Sequence, residues 1–165
     1  MNYVFDSSSL IYLGKLKILE KLKLLEGKRY IPKSVYEEVV IKGFERGEPE
    51  TKYIDKLIKD NYFIVENAED NIGDFFFLSK ADKEVIYLAK KLKLTAIIDE
   101  AYAKKIALSY GIETHGIMYL LLWLLDKKLI TKEEIKKYLD KLISLGFYLS
   151  LEKYNEILKI IEKYN

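Results

Sequence analysis

Two short, uninterrupted apolar runs interrupt an otherwise amphipathic chain: Tyr3-Val4-Phe5 near the start and the centre of LTAIIDE, beginning at Leu94. Continuous runs of this length suit strands covered on both faces, because a strand with one wet face alternates instead. Each passes straight into helical spacing. Leu10, Leu13, Leu16, Leu19 and Leu22 follow the first run, and Ala103, Ile106, Ala107 and Tyr110 follow the second. Weaker strand patterns lie at 28–31, 62–66 and 112–116, and helical patterns fill 33–43, 50–60, 80–92, 116–127, 132–144 and 151–163. Strands alternating with helices predict an α/β fold, with a central, mostly parallel sheet and helices on both faces. No repeat, low-complexity tract or linker interrupts the 165 residues, so a single domain is expected.

Composition narrows the chemistry. The chain has no Cys and one His, His115. Disulfides, thiolate metal sites and His-rich zinc sites are therefore excluded, and a Ser-His-Asp triad would have to use His115. Any metal would have oxygen ligands, which suits Mg²⁺ or Mn²⁺. The most apolar run, Ile117 to Leu125, is about half of the roughly 20 residues a spanning helix needs. With no basic leader before a long apolar run, a soluble, cytoplasmic protein without membrane partners is expected. Lys and Arg number 28 against 26 Asp and Glu, a net charge of +2, so bulk charge does not mark a nucleic-acid binder. Neither the P-loop nor the G-x-G-x-x-G fingerprint occurs. Asp6-Ser7-Ser8 also lacks the Asp-x-Asp of dehalogenase-type phosphatases.

The acids at element ends remain. Asp6 closes the first strand and could cap the helix that follows. Asp99 closes the later strand in the same way, and ligands of open α/β sheets bind outside the carboxyl ends of strands. On the helix SVYEEVV, Glu38 lies about 60° from Val35 and rims the apolar face. Glu37 points away; it is solvated or completes a capping box with Ser34. On SKADKEVIYLAKKL the apolar stripe is Val85, Leu88, Ala89 and Leu92. Asp82 sits about 60° from Val85, one turn earlier, and Glu84 about 100° to the other side. Ser79 and Asp82 also have capping-box spacing. If Asp6, Glu38, Asp82 and Asp99 converge, repulsion keeps some of them protonated unless a hard divalent cation joins them.

At these residues the chain resembles the PIN domain, the nuclease fold shared with VapC-type toxin ribonucleases. VFDSSSLIYLGKL resembles the first strand of that family, with Asp6 in the place of its aspartate. IPKSVYEEVV resembles the second acidic motif and gives Glu38. LSKADKEVIYLAKKL resembles the third and gives Asp82, and AIIDEAYAKKIALSYGIETHG resembles the fourth and gives Asp99. Order and spacing match over roughly 2–130, as a core of about 1–130. The tail, about 131–165, resembles a PIN-like branch with extra C-terminal helices. Two departures stand out. Gly116-Ile117-Met118-Tyr119 stands where that branch runs Gly-Thr-x-Gly, leaving that edge bulkier and less polar. Beyond Asp99, where some members carry a further acid or Asn, the chain has Glu100 and then Tyr102 and Ala103.

The resemblance implies a three-layer PIN-like sandwich and hydrolysis of RNA phosphodiester bonds with one or two Mg²⁺ or Mn²⁺ ions. Asp6 and Asp99 would hold the main ion, with Asp82 and Glu38 as ligands directly or through water. Implied partners are single-stranded or structured RNA, an antitoxin and a second copy of the chain. The alternative is a catalytically weak module of this fold that binds nucleic acid or protein. Ser7 and Ser8 are candidates for bonding the carboxylates or a phosphate, or for satisfying the first helical turn. Lys33, Lys80, Lys83, Lys104 and Lys105 are the candidate cationic rim for an RNA backbone; singly, each reads as a solvated charge. The rings of Phe75-Phe76-Phe77 are expected in the core or a subunit contact, with stacking on unpaired bases as the other use. His115 is expected to be structural. The apolar helices 10–25 and 117–125 belong either to the core or to a surface covered by a partner.

Overall fold

Strand β1 (Tyr3–Phe5) occupies the middle of a five-stranded sheet in the computed structural model, which describes residues 1–69, 72–73 and 75–165. Its neighbours are β2 (Arg29–Pro32) and β4 (Thr95–Ile97), with β3 (Ile64–Glu66) and β5 (Thr114–His115) at the edges, in the order β3-β2-β1-β4-β5. All four pairings are parallel. Tyr3, Val4 and Phe5 are buried, as are Thr95, Ala96 and Ile97, in keeping with the unbroken apolar runs.

The helices are α1 (Ser7–Lys15), α2 (Lys33–Tyr36), α3 (Lys42–Glu45), α4 (Thr51–Lys59), α5 (Lys80–Leu92) and α6 (Ala101–Ser109), followed by α7 (Ile117–Asp126), α8 (Lys132–Ser144) and α9 (Leu151–Lys163). The connections β1→β2→β3 step one way across the sheet, and β3→β4→β5 step the other way. Right-handed crossovers then place α1 to α4 on one face and α5 and α6 on the opposite face. Strand order therefore reverses between β1 and β4, and that crevice is where such sheets bind ligands.

Two stretches depart from the predicted helices. Residues 33–43 are expected as one α-helix, but a π-helical turn (Glu37–Ile41) separates α2 from α3. Widening the turn buries the neighbouring Val39 and Val40 together. The Val39 carbonyl accepts a bond from Thr51 Oγ1 at 3.5 Å. Gly43 keeps that approach open, since a Cβ there would overlap Thr51 Oγ1. Pro32 ends β2 and stands directly before α2. After α1 the chain does not continue as α-helix: Leu19–Leu24 forms 3-10 turns. These are held by Arg29, whose guanidinium donates to the carbonyls of Leu22, at 3.0 Å, and Leu25 while lying 4.4 Å from the Tyr62 ring centre.

Many of the apolar residues of 10–25 and 117–125 are buried, but Leu24 and Tyr119 are exposed and Ile11, Met118, Leu122 and Trp123 are half-buried. Leu10, Leu13, Leu16, Ile18, Leu19, Leu22 and Leu25 are covered, as are Ile117, Leu120, Leu121, Leu124 and Leu125. The buried members are core residues.

The chain divides into two compact units, Met1–Ile117 and Met118–Asn165. In the second unit, Thr131 and Glu134 form a capping box at the start of α8, and Ser150 caps α9. Ile135, Leu139, Leu142, Ile157 and Ile161 are buried, and Lys136 bonds Glu162 at 2.6 Å. Among the described residues, no helix is long and apolar enough to cross a membrane.

Phe5 anchors the central strand. It is fully buried and meets Phe63 edge-on, with ring centres 5.4 Å apart. Phe5→Ala is expected to cost about 3–5 kcal/mol in urea denaturation; a cost under about 1 kcal/mol would show that this ring does not anchor the core.

Candidate active site

Parallel pairing places the first residues beyond β1 and β4 side by side. Phe5 is in register with Ile97, and the Asp6 amide donates to the Ile97 carbonyl at 3.1 Å. Asp6 is 2% exposed and caps α1, accepting the Ser9 amide on Oδ1 at 2.8 Å. It is therefore both a helix cap and a buried carboxylate at the switch point. Ser9 is also buried, and its hydroxyl donates to Asp99 Oδ2 at 3.0 Å. One residue thus spans both strand-end acids.

Asp99 is held from a second side by the Ile117 amide, which donates to Oδ1 at 3.2 Å and Oδ2 at 3.0 Å. Gly116 makes this approach possible, because a Cβ at that position would overlap Asp99 Oδ1. Gly116 and Ile117 therefore serve Asp99 together, one by its missing side chain and the other by its backbone donor.

Glu38 lies in the π-helical turn, half-buried, and accepts the Ser7 hydroxyl on Oε2 at 2.6 Å. π turns recur at functional sites because they re-aim side chains out of the α-helical phase. Glu37 is exposed. Its capping-box reading with Ser34 fails, since Ser34 donates through both its amide, at 3.2 Å, and its hydroxyl to Glu84 Oε2. Asp82 is half-buried in the first turn of α5, its amide bonded to Ser79 Oγ at 3.1 Å.

The four acids act on one another. Burial pushes the Asp6 carboxyl up to about 7; the Ser9 bonds oppose this, while the charges of Asp99 and Asp82 add to it. Asp82 is raised by burial, with Glu100 and Glu38 adding and Ser79 opposing. Asp99 is raised by burial against the lowering effects of the Ile117 amide, the Ser9 hydroxyl and the Lys104 charge. Asp99 and Asp82 thus repel Asp6, and Glu38 and Glu100 repel Asp82, in a set held by serine hydroxyls and backbone amides. Among the described residues, no three His, Asp or Glu side chains meet closely enough to hold an ion as they stand. The donors are nonetheless all carboxylate oxygens whose charges oppose one another, and that chemistry fits a hard divalent cation.

The remaining candidates fall at varied distances from this set. Ser8 is half-buried in the first turn of α1, between Ser7 and Ser9. Lys104 is half-buried and acts on Asp99. Lys83 is half-buried beside Asp82 in sequence, while Lys33 and Lys105 are exposed. Lys80 reaches toward Glu84 at 3.9 Å. Glu100 caps α6, accepting the amides of Tyr102 at 3.0 Å and Ala103 at 2.6 Å. His115 pairs with Glu113 at 2.9 Å. Phe76 and Phe77 are exposed, so they are not core residues.

Sequence pattern alone does not single out Ser9 or Glu84. Ser9 precedes Leu13 and Leu16 by four and seven residues, so the helical stripe already runs through it. Glu84 lies four residues before Leu88. It is 4% exposed rather than turned aside, and it joins α5, which carries Asp82, to the start of α2.

A sequence model of the PIN domain matches residues 2–163. Comparison with curated protein sequences finds no match. Among solved structures, the chain is similar to a PilT N-terminus domain protein from the hyperthermophilic archaeon Sulfolobus solfataricus P2. That match has 21% identity and a TM-score of 0.58, covering 76% of this chain and 94% of the other. A domain of a functionally unknown protein from Methanocaldococcus jannaschii aligns at 18% identity and a TM-score of 0.49, covering 71% of this chain and 91% of that one. The first of these likenesses shows the shared fold.

Because Asp6 ionises near 7 in the fold against an ordinary 3.8, its ionisation favours the unfolded chain. The stability it contributes is full below about pH 4 and is lost as pH rises to about 7. Asp6→Asn is therefore expected to melt higher than wild type at pH 8 in chelator, by a few kcal/mol at about 1.4 kcal/mol per pKa unit. The gap should shrink toward pH 4; a gap independent of pH would show that Asp6 is not destabilised by ionising. Gly116→Ala is expected to lower stability by about 1–3 kcal/mol, because the added Cβ would overlap Asp99 Oδ1; a loss under about 0.5 kcal/mol in urea denaturation would show that the approach to Asp99 is not tight.

Proposed function

The chain belongs to the PIN domain family, whose members are generally nucleases, and on that premise we propose that it is a metal-dependent endoribonuclease hydrolysing RNA phosphodiester bonds. The observation that carries this is buried Asp6, raised by the charges of Asp99 and Asp82, with half-buried Asp99, Asp82 and Glu38 beside it at the switch point of the sheet. Asp6 and Asp99 would hold Mg²⁺ or Mn²⁺, with Asp82 and Glu38 completing the ligands. When bound, such an ion supplies Lewis acidity and charge neutralisation at a phosphodiester.

The chain's own groups do the positioning. Ser9 fixes Asp99 against Asp6, the Ile117 amide holds the far side of Asp99, and Ser7 orients Glu38. Glu84 keeps α2 and α5 together, so that Glu38 and Asp82 stay on one rim. Lys104, with Lys33, Lys80 and Lys83 near the starts of α2 and α5, supplies cations for the RNA backbone, and Ser8 is placed to meet a phosphate. The proposal extends to the toxin of a toxin–antitoxin pair acting in the cytoplasm, with an antitoxin and a second copy of the chain as partners. That extension rests on the resemblance of the four motifs to VapC-type toxins.

A second reading, a catalytically weak binding module, is favoured by one observation: among the described residues, no three of the acids close into a ligand group as they stand. Calorimetry with Mn²⁺ decides between the two. Wild type is expected to bind the ion and cut single-stranded RNA, while folded Asp6→Asn binds at least tenfold more weakly and does not cut. Equal indifference of both proteins to Mn²⁺, with RNA still retained, would establish the binding module.

A further inference from the structure

The sequence Phe75-Phe76-Phe77-Leu78 forms a tight turn closed by the Leu78 amide on the Phe75 carbonyl at 3.1 Å. Turn tips usually carry Gly, Pro, Asn, Asp or Ser, because water reaches them and the backbone must bend. Here the tip carries Phe76, 95% exposed, and Phe77, 85% exposed, while Leu78 is buried and pins the turn down. Two bare rings side by side keep apolar area in water, and an exposed apolar patch of that kind marks a contact site.

Their place specifies the contact. One residue beyond the turn, Ser79 caps the helix start that carries Asp82. Phe77 meets Tyr102 edge-on, with ring centres 5.9 Å apart. Tyr102 is in turn held by the Glu100 cap, directly after Asp99. The two chain segments that deliver Asp82 and Asp99 therefore also deliver the aromatic tip, which lies on the lip of the acid set. In an edge-to-face pair one ring presents its edge and the other its face, and the exposure of Phe76 and Phe77 leaves π-faces open to solvent.

We propose that Phe76 and Phe77, braced by Tyr102, stack on unpaired nucleobases and hold single-stranded RNA across the acid site. This rests on the proposal that RNA is the substrate, and it assigns Phe76 and Phe77 the holding of unpaired bases beside the acids. A base in a duplex keeps both π-faces covered by its neighbours, whereas an unpaired base offers a face to an aromatic ring. Because every base has such a face, the lip selects single-strandedness rather than sequence.

The test measures anisotropy of two labelled probes, a short oligoadenylate and an oligomer of the same length with abasic riboses. Wild type and the double variant Phe76→Ala/Phe77→Ala are compared in chelator, so that binding is read without cleavage. The variant is expected to bind oligoadenylate about tenfold or more weakly, within the roughly 5- to 150-fold loss per stacked base typical of such substitutions. It should bind the abasic oligomer as wild type does. Equal weakening on both probes, or none on either, would overturn the proposal. So would a change confined to oligomeric state in light scattering, which would assign the rings to a subunit contact. Cleavage of the same oligoadenylate by wild type with Mn²⁺ reports on the nuclease reading separately. A protein that binds bases through the lip but does not cut loses that reading and keeps this one.

Discussion

Side-by-side parallel pairing of β1 and β4 is the constraint on which the rest of the site depends. In a parallel pair both carboxyl ends point the same way, so residues that leave the strands in register leave as neighbours. Phe5 opposite Ile97 makes Asp6 a close neighbour of the chain that ends in Asp99. Neither carboxylate can move away without breaking a central strand. The fold therefore holds charge where burial opposes it, and the surrounding backbone answers with amides: Ser9 for Asp6 and Ile117 for Asp99. Helix starts collect at this edge because each helix begins where a strand has ended, and the free amides of a first turn favour negative charge.

The position of the acids follows from that geometry, and their spacing from the serines. Ser7 serves Glu38 and Ser9 serves both Asp6 and Asp99, so alternate hydroxyls of one helical turn reach opposite sides of the acid set. A three-serine run after a strand-end aspartate is therefore more than a good helix start. Glu84 does related work one layer out. It is a buried acid whose partner is Ser34, across 50 residues of sequence, and it ties together the two helices that bring Glu38 and Asp82.

Much of the architecture was legible because local signals and long-range packing agree. The two apolar runs became central strands, and the helices at 80–92, 132–144 and 151–163 start where Ser79, Thr131 and Ser150 stand as caps. The four acids could be named because each sits at an element end, a position that sequence shows. What was hidden depends on partners distant in sequence. The role of Ser9 needs Asp99, the burial of Glu84 needs Ser34, and the 3-10 turns at Leu19–Leu24 need Arg29 from the next strand. The exposure of Phe76 and Phe77 was hidden for the opposite reason, because an apolar triplet reads as core until the turn that lifts it out is seen.

The π-helical turn at Glu37–Ile41 has a consequence of another kind. A π turn holds about one residue more than an α turn, so it shifts the angular phase of everything downstream. Upstream, the helix answers to Glu84 through Ser34, and the turn itself presents Glu38 to Ser7; downstream, the helix answers to Thr51 packed against Gly43. A regular α-helix would force one rotation to satisfy both ends. The extra residue works as a slip joint. Forcing the full sequence into a regular α-helix would turn the two halves against each other by about 100°, whereas removing a single residue within 37–41 would let the stretch close as an α-helix with both halves still facing as they do.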